Sequence, residues 1–121
     1  MADILIIDDD VNIHHIVSLF LESDGHHVSC VTNGESGLDY ATHNNLDLII
    51  LDLAMPGMDG LETFHALMAN PKSNTVPVMI LSVHDEGDLP EPIRKDSFVD
   101  YLNKPVNMEQ LQSSVRAALS R

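Results

Sequence analysis

Asp52 ends the apolar run Leu48–Leu51, and Leu53 leads from it into the turn-rich stretch Ala54-Met55-Pro56-Gly57-Met58-Asp59-Gly60. Asp8-Asp9-Asp10 ends the run Ile4–Ile7 in the same way. A third run, Val78–Leu81, ends in Ser82, and a fourth, around Val99–Leu102, ends in Asn103-Lys104-Pro105. In one parallel sheet all these ends lie along a single edge, where open α/β folds build their sites. A carboxylate placed there can be the nucleophile of phosphoryl transfer, forming an acyl phosphate. Two acidic clusters at adjacent strand ends also repel one another unless a cation lies between them. Oxygen-only donors of this kind suit Mg²⁺, which takes an octahedral shell and keeps several waters. A plainer reading makes Asp8-Asp9-Asp10 a helix cap that complements the helix dipole, and it fits Asp10 best.

The elements that must position these groups alternate strand with helix from end to end. Strand one is expected at about Asp3–Asp8, strand two at His27–Val31, strand three at Leu46–Leu51, strand four at Pro77–Ser82 and strand five at about Phe98–Leu102. The first helix is expected from Val11 or Asn12 to Asp24, with Asp10 as N-cap and Gly25 just past its end. Ile13, Ile16, Val17 and Phe20 mark its predicted apolar stripe. A weakly specified helix follows at Gly34–His43. The next begins after Asp59-Gly60, with Leu61, Phe64, Leu67 and Met68 on one side. The last opens with Asn107 and Gln110 at capping-box spacing and carries Met108, Leu111, Val115 and Leu119 on one stripe. Such alternation predicts an α/β fold, a doubly wound five-stranded parallel sheet with right-handed crossovers. The pattern alone leaves the strand order open.

Taken jointly, Asp8-Asp9, Asp52 before Met55-Pro56-Gly57-Met58-Asp59-Gly60, Ser82, Tyr101 and Lys104-Pro105 resemble the receiver domain of the two-component response-regulator family, as in chemotaxis receivers. The resemblance covers essentially the whole chain, as a single receiver domain over residues 1–121. It implies the flavodoxin-like strand order 2-1-3-4-5. It also implies that Asp52 is the phosphoacceptor, taking a phosphoryl group from a phosphohistidine on a histidine kinase or phosphotransfer protein. Mg²⁺ would be held directly by Asp9 and Asp52, through water by Asp8, and by the Ala54 backbone carbonyl. Lys104 and Ser82 would stabilise the phosphoryl oxygens, Ser82 and Tyr101 would form a switch pair, and Pro105 would follow a cis peptide bond. In that switch the aromatic ring turns in from solvent when phosphate draws the hydroxyl inward. Tyr101 also fits a passive edge-strand aromatic, and Lys104 a solvated strand-end lysine.

Size and charge narrow the functions further. A chain of this length buries roughly two thirds of its unfolded surface, enough for a real core. No apolar run approaches the ~20 residues of a membrane span, and Met1-Ala2-Asp3 lacks the basic region of a signal peptide. Cys30 is the only cysteine, which suits a reducing, cytoplasmic setting; it is expected as a small core residue. The net charge is -13, and residues 1–71 contain no lysine or arginine. Direct nucleic-acid binding by this domain is not expected, because phosphate contacts need a basic surface. A basic or mixed protein partner fits better. The seven histidines include the adjacent pairs His14-His15 and His26-His27, whose members point in different directions. They are expected at the surface or half-buried rather than on zinc.

The expected activity is a signalling switch with at most slow self-dephosphorylation, not a turnover enzyme. A pseudo-receiver that never sees phosphate is the alternative, disfavoured by the intact Asp8, Asp9, Asp52 and Lys104. An aspartyl-nucleophile phosphatase is a further one, but such enzymes want a second Asp where Ala54 stands. An output domain joined beyond Arg121 is compatible with the chain. Two stretches depart from the family pattern. Val83 follows Ser82 where a small residue is usual, with His84 beside it. Pro90 and Pro92 predict a short, late-starting helix within residues 86–97.

Overall fold

The computed structural model describes residues 2–53, 60–82 and 100–120. The Ala54 carbonyl, the turn 54–59, Val83, His84 and the helix expected within 86–97 lie outside the described residues. Five strands and four helices are described: β1 Asp3–Ile7, α1 Val11–Ser23, β2 His27–Val31, α2 Gly34–His43, β3 Leu48–Asp52, α3 Gly60–Ala69, β4 Val78–Ser82, β5 Asp100–Asn103 and α4 Met108–Leu119. All neighbouring strands are parallel, in the order β2-β1-β3-β4-β5.

The order places the strands that are covered on both faces inside the sheet. β3 and β4 are buried at every position, so their unbroken apolar runs belong at the centre. Alternate residues point to opposite faces. Ile4, Ile6, Leu48, Ile50, Met79, Leu81 and Leu102 pack with Val17 and Leu21 of α1 and with Leu111 and Val115 of α4. Leu5, Ile7, Ile49, Leu51, Val78, Ile80 and Tyr101 pack with Ala41 of α2 and with Phe64 and Leu67 of α3. Each large side chain buried this way contributes about 1.5–3 kcal/mol. Two glycines permit close approach. A Cβ on Gly37 would lie 2.5 Å from Ile7 Cδ1, and one on Gly60 would lie 2.0 Å from Leu53 Cα. The Gly60 N–H donates to the Leu53 carbonyl at 3.0 Å, which brings the start of α3 back to the end of β3.

The caps stand where the sequence puts them. Asp10 accepts from the Asn12 N–H and Asn107 from the Gln110 N–H, and Gly25 follows α1 at φ 89°; Asn33, not among the expected caps, accepts from the Ser36 N–H at the start of α2. Two expectations need correction. The buried stripe of α1 is His14, Val17 and Leu21, whereas Ile16 and Phe20 are exposed. Apolar residues ring this helix, so the 3.6-residue period fits more than one face and only packing against β2 and α4 selects among them. Cys30 is exposed rather than in the core. It lies on edge strand β2, where no position is fully buried.

Candidate functional site

The C-terminal ends of four strands converge. β1 leads into Asp8, β3 ends in Asp52, β4 ends in Ser82, and Lys104 follows β5 directly. Asp8, Asp52 and Ser82 are buried, at 0%, 3% and 1% exposure, whereas Asp9 is exposed. One carboxylate oxygen from each of Asp8, Asp9 and Asp52 lies within 4.8 Å of the other two. Lys104 Nζ stands 3.0 Å from Asp8 Oδ2 and 3.4 Å from Asp52 Oδ2. Its backbone N–H donates to the Ser82 carbonyl at 2.8 Å, so the β4–β5 register carries the lysine to the acids. The Lys104–Pro105 peptide bond is cis.

Burial alone would lower the Lys104 pKa. The hydrogen bond to Asp8 and the charges of Asp52 and Asp8 outweigh that effect and hold it above its ordinary value. The ammonium is therefore a fixed internal counter-ion to two buried carboxylates. Such a charge is tolerated in the interior only when paired.

The first acidic loop is anchored at several points. The Asp8 N–H donates to the Val31 carbonyl at 3.2 Å. Asp8 Oδ1 accepts from the Asp10 N–H at 2.9 Å, leaving Oδ2 to face Lys104. Asp10 itself serves as the helix cap, 2.9 Å from the Asn12 N–H. Ser82 and Tyr101 lie on the same face of the sheet, since Ser82 continues the alternation of Val78 and Ile80, with which Tyr101 packs. Tyr101 is already buried, at 8% exposure.

His14, expected with the other histidines at the surface or half-buried, is instead buried, and sequence reasoning missed its place at the site. Its Nε2 lies 2.6 Å from the Asp8 carbonyl oxygen, and the contact is buried. The available signal was its place four residues after the Asp10 cap. Helical side chains lean toward the N-terminus, which aims this one back at the strand end.

The family profile described as "Response regulator receiver domain" matches residues 4–116. The chain belongs to the response-regulator receiver family. Receiver domains are signalling switches of two-component systems. This receiver is similar to the protein PilH of Pseudomonas aeruginosa, 31% identical over 120 residues that span 99% of each chain. It spans much less of other curated relatives, for example 54% of the response regulator ArlR of Staphylococcus haemolyticus. Its fold matches the chemotaxis protein CheY4 of Vibrio cholerae with TM-score 0.84, 28% identity and coverage of 98% and 99% of the two chains. It also matches the receiver domain of a sensor histidine kinase from Pseudomonas aeruginosa PAO1, with TM-score 0.84 and coverage of 99% and 98%. That protein, 22% identical, has a magnesium ion coordinated in its active site cleft. Among the described residues of this receiver, no helix is long and apolar enough to cross a membrane.

Proposed function

We propose that Asp52 accepts a phosphoryl group from a phosphohistidine on a histidine kinase or phosphotransfer protein. The observation that carries this reading is the pairing of buried Asp52 and Asp8 with one ammonium, Lys104, from a strand end far along the chain. A carboxylate oxygen of Asp52 attacks phosphorus while the P–N bond of the donor breaks, and its electron pair returns to the imidazole nitrogen. Transfer of this kind depends mostly on positioning and on neutralising the phosphoryl oxygens. Lys104 would supply one positive group and the Ser82 hydroxyl a hydrogen bond.

The donor set fits a divalent cation. It is made of oxygen alone, clustered tightly enough for one ion, and already neutralised in part by an ammonium. Asp8, Asp9 and Asp52 would hold Mg²⁺, with the Ala54 carbonyl as the backbone ligand implied by the family. When bound, the ion would offset charge on the phosphoryl group. The magnesium in the cleft of the related sensor-kinase receiver supports this choice.

Residues 1–121 would act as one receiver domain, in the cytoplasm, with at most slow self-dephosphorylation. Its readout would run through the pair Ser82 and Tyr101. Since Tyr101 is already buried, phosphorylation would stabilise a ring position that is open to it beforehand. An output domain, joined or separate, would receive the signal. The acidic balance disfavours nucleic acid as this domain's own partner.

Borohydride trapping tests the reading directly. The chain is incubated with Mg²⁺ and a phosphorylated phosphotransfer protein, reduced, digested and mapped. A homoserine at position 52 is expected. Trapping at another residue, or no adduct from any phosphohistidine donor, would overturn the assignment.

A further inference from the structure

We propose that His14 is a positioning residue for the cation site, acting through the peptide that joins Asp8 to Asp9. The proposal rests on the reading of Asp8, Asp9 and Asp52 as a Mg²⁺ site.

β1 ends at Ile7, and the Asp8 carbonyl is met by His14 Nε2 at 2.6 Å. A carbonyl oxygen only accepts, so Nε2 carries the proton. That carbonyl belongs to the Asp8–Asp9 peptide, and holding its plane sets where both acids leave the main chain. With the Val31 carbonyl on the Asp8 N–H, the Asp10 N–H on Oδ1 and the Lys104 ammonium on Oδ2, the Asp8 residue is fixed at four points. Asp9 is exposed, so its placement depends on the peptide before it. His14 shares the buried face of α1 with Val17 and Leu21, a position where an aliphatic residue would satisfy packing alone. A polar ring there, bonded to the acidic loop, is explained by orientation of the loop. Groups that orient metal ligands typically cost 10–100-fold in affinity when removed.

Calorimetric titration of Mg²⁺ into the whole chain distinguishes positioning from simple packing. His14→Leu keeps the bulk and loses the donor; His14→Gln returns an amide N–H close to the place of Nε2. The Leu variant is expected to bind Mg²⁺ about tenfold more weakly or worse, and the Gln variant to recover most of the loss. Wild-type affinity in the Leu variant, or equal weakness in both variants, would overturn the proposal. Should the Leu variant not fold, His14→Asn, whose amide stops short of the carbonyl, takes its place against His14→Gln with the same expected contrast. Absence of Mg²⁺ binding by the wild type would remove the cation site and this role together. Wild-type binding that His14→Leu leaves intact would remove this role alone.

Discussion

β1 and β3 carry an aspartate at both ends: Asp3 and Asp8 flank one, Asp47 and Asp52 the other. At the N-terminal edge the acids remain in water. The Asp3 side chain is 57% exposed and sits 3.4 Å from a His27 that is 65% exposed, while Asp47 Oδ2 accepts the Asp3 N–H at 2.8 Å. At the C-terminal edge Asp8 and Asp52 are buried against Lys104. One residue type on the same two strands thus has two electrostatic fates. The direction of the strands accounts for much of it. In this topology a helix begins beyond the C-terminal end of β1, bringing unpaired N–H groups and the positive end of a dipole toward the acids. The opposite edge receives helix C-termini, which offer carboxylates nothing. Burial at one edge pairs the acids with an internal ammonium, and solvation at the other leaves them as surface charges.

The widest difference should appear in phosphotransfer. Asp52→Asn keeps the shape and removes the nucleophile, so transfer from a cognate kinase should vanish, whereas Asp47→Asn should behave as wild type. A phosphoryl adduct on the Asp52→Asn protein, seen by intact mass, would erase the distinction between the edges. Next in size, Lys104→Met should cost about 3 kcal/mol in urea unfolding with EDTA, because it removes the ammonium that pairs with two buried carboxylates. Added Mg²⁺ should reduce that cost, and an equal loss with and without the ion would show that Lys104 is not a charge partner. The pH dependence has a defined sign. A lysine pKa raised on folding contributes stability that is complete below the ordinary value of 10.5 and lost as pH rises through the higher folded value. The gap between wild type and Lys104→Met should therefore be flat near neutrality and narrow only at strongly alkaline pH.

Mg²⁺ linkage sharpens the comparison at the next level. At a hundredfold excess over its Kd the ion should stabilise the wild type by about 2.7 kcal/mol. Asp9→Ala should remove most of that gain, and Asp47→Ala almost none. Equal shifts in both variants would mean diffuse binding over the acidic surface. The smallest effect belongs to Asp3→Asn, expected to change stability by less than ~1 kcal/mol, since exposed ion pairs contribute little and salt screens them. A loss comparable to that of Lys104→Met would contradict the view of this edge as solvated charge.

Much of this architecture is legible in the chain before it folds. Apolar runs ending in acids, Ser82 and Lys104, helix-start residues such as Asp10 and Asn107, and Gly25 after α1 are local signals. A cap needs only the N–H groups two or three residues ahead, and a strand covered on both faces needs only an unbroken apolar run. Boundaries moved by a residue or two: β3 begins at Leu48 and includes Asp52 as its last residue.

What the sequence by itself determined was therefore the order of elements and the set of chemical groups at their ends, because both depend on neighbours along the chain. Tertiary structure alone decided the rest. It chose which stripe of α1 faces inward, buried His14 on the Asp8 carbonyl, left Cys30 exposed on an edge strand, and separated buried Asp8 from solvated Asp3. It also brought Lys104 to Asp8 across 96 residues of chain. These outcomes are set by what packs against each residue from elsewhere, a quantity that periodicity and local propensity do not contain.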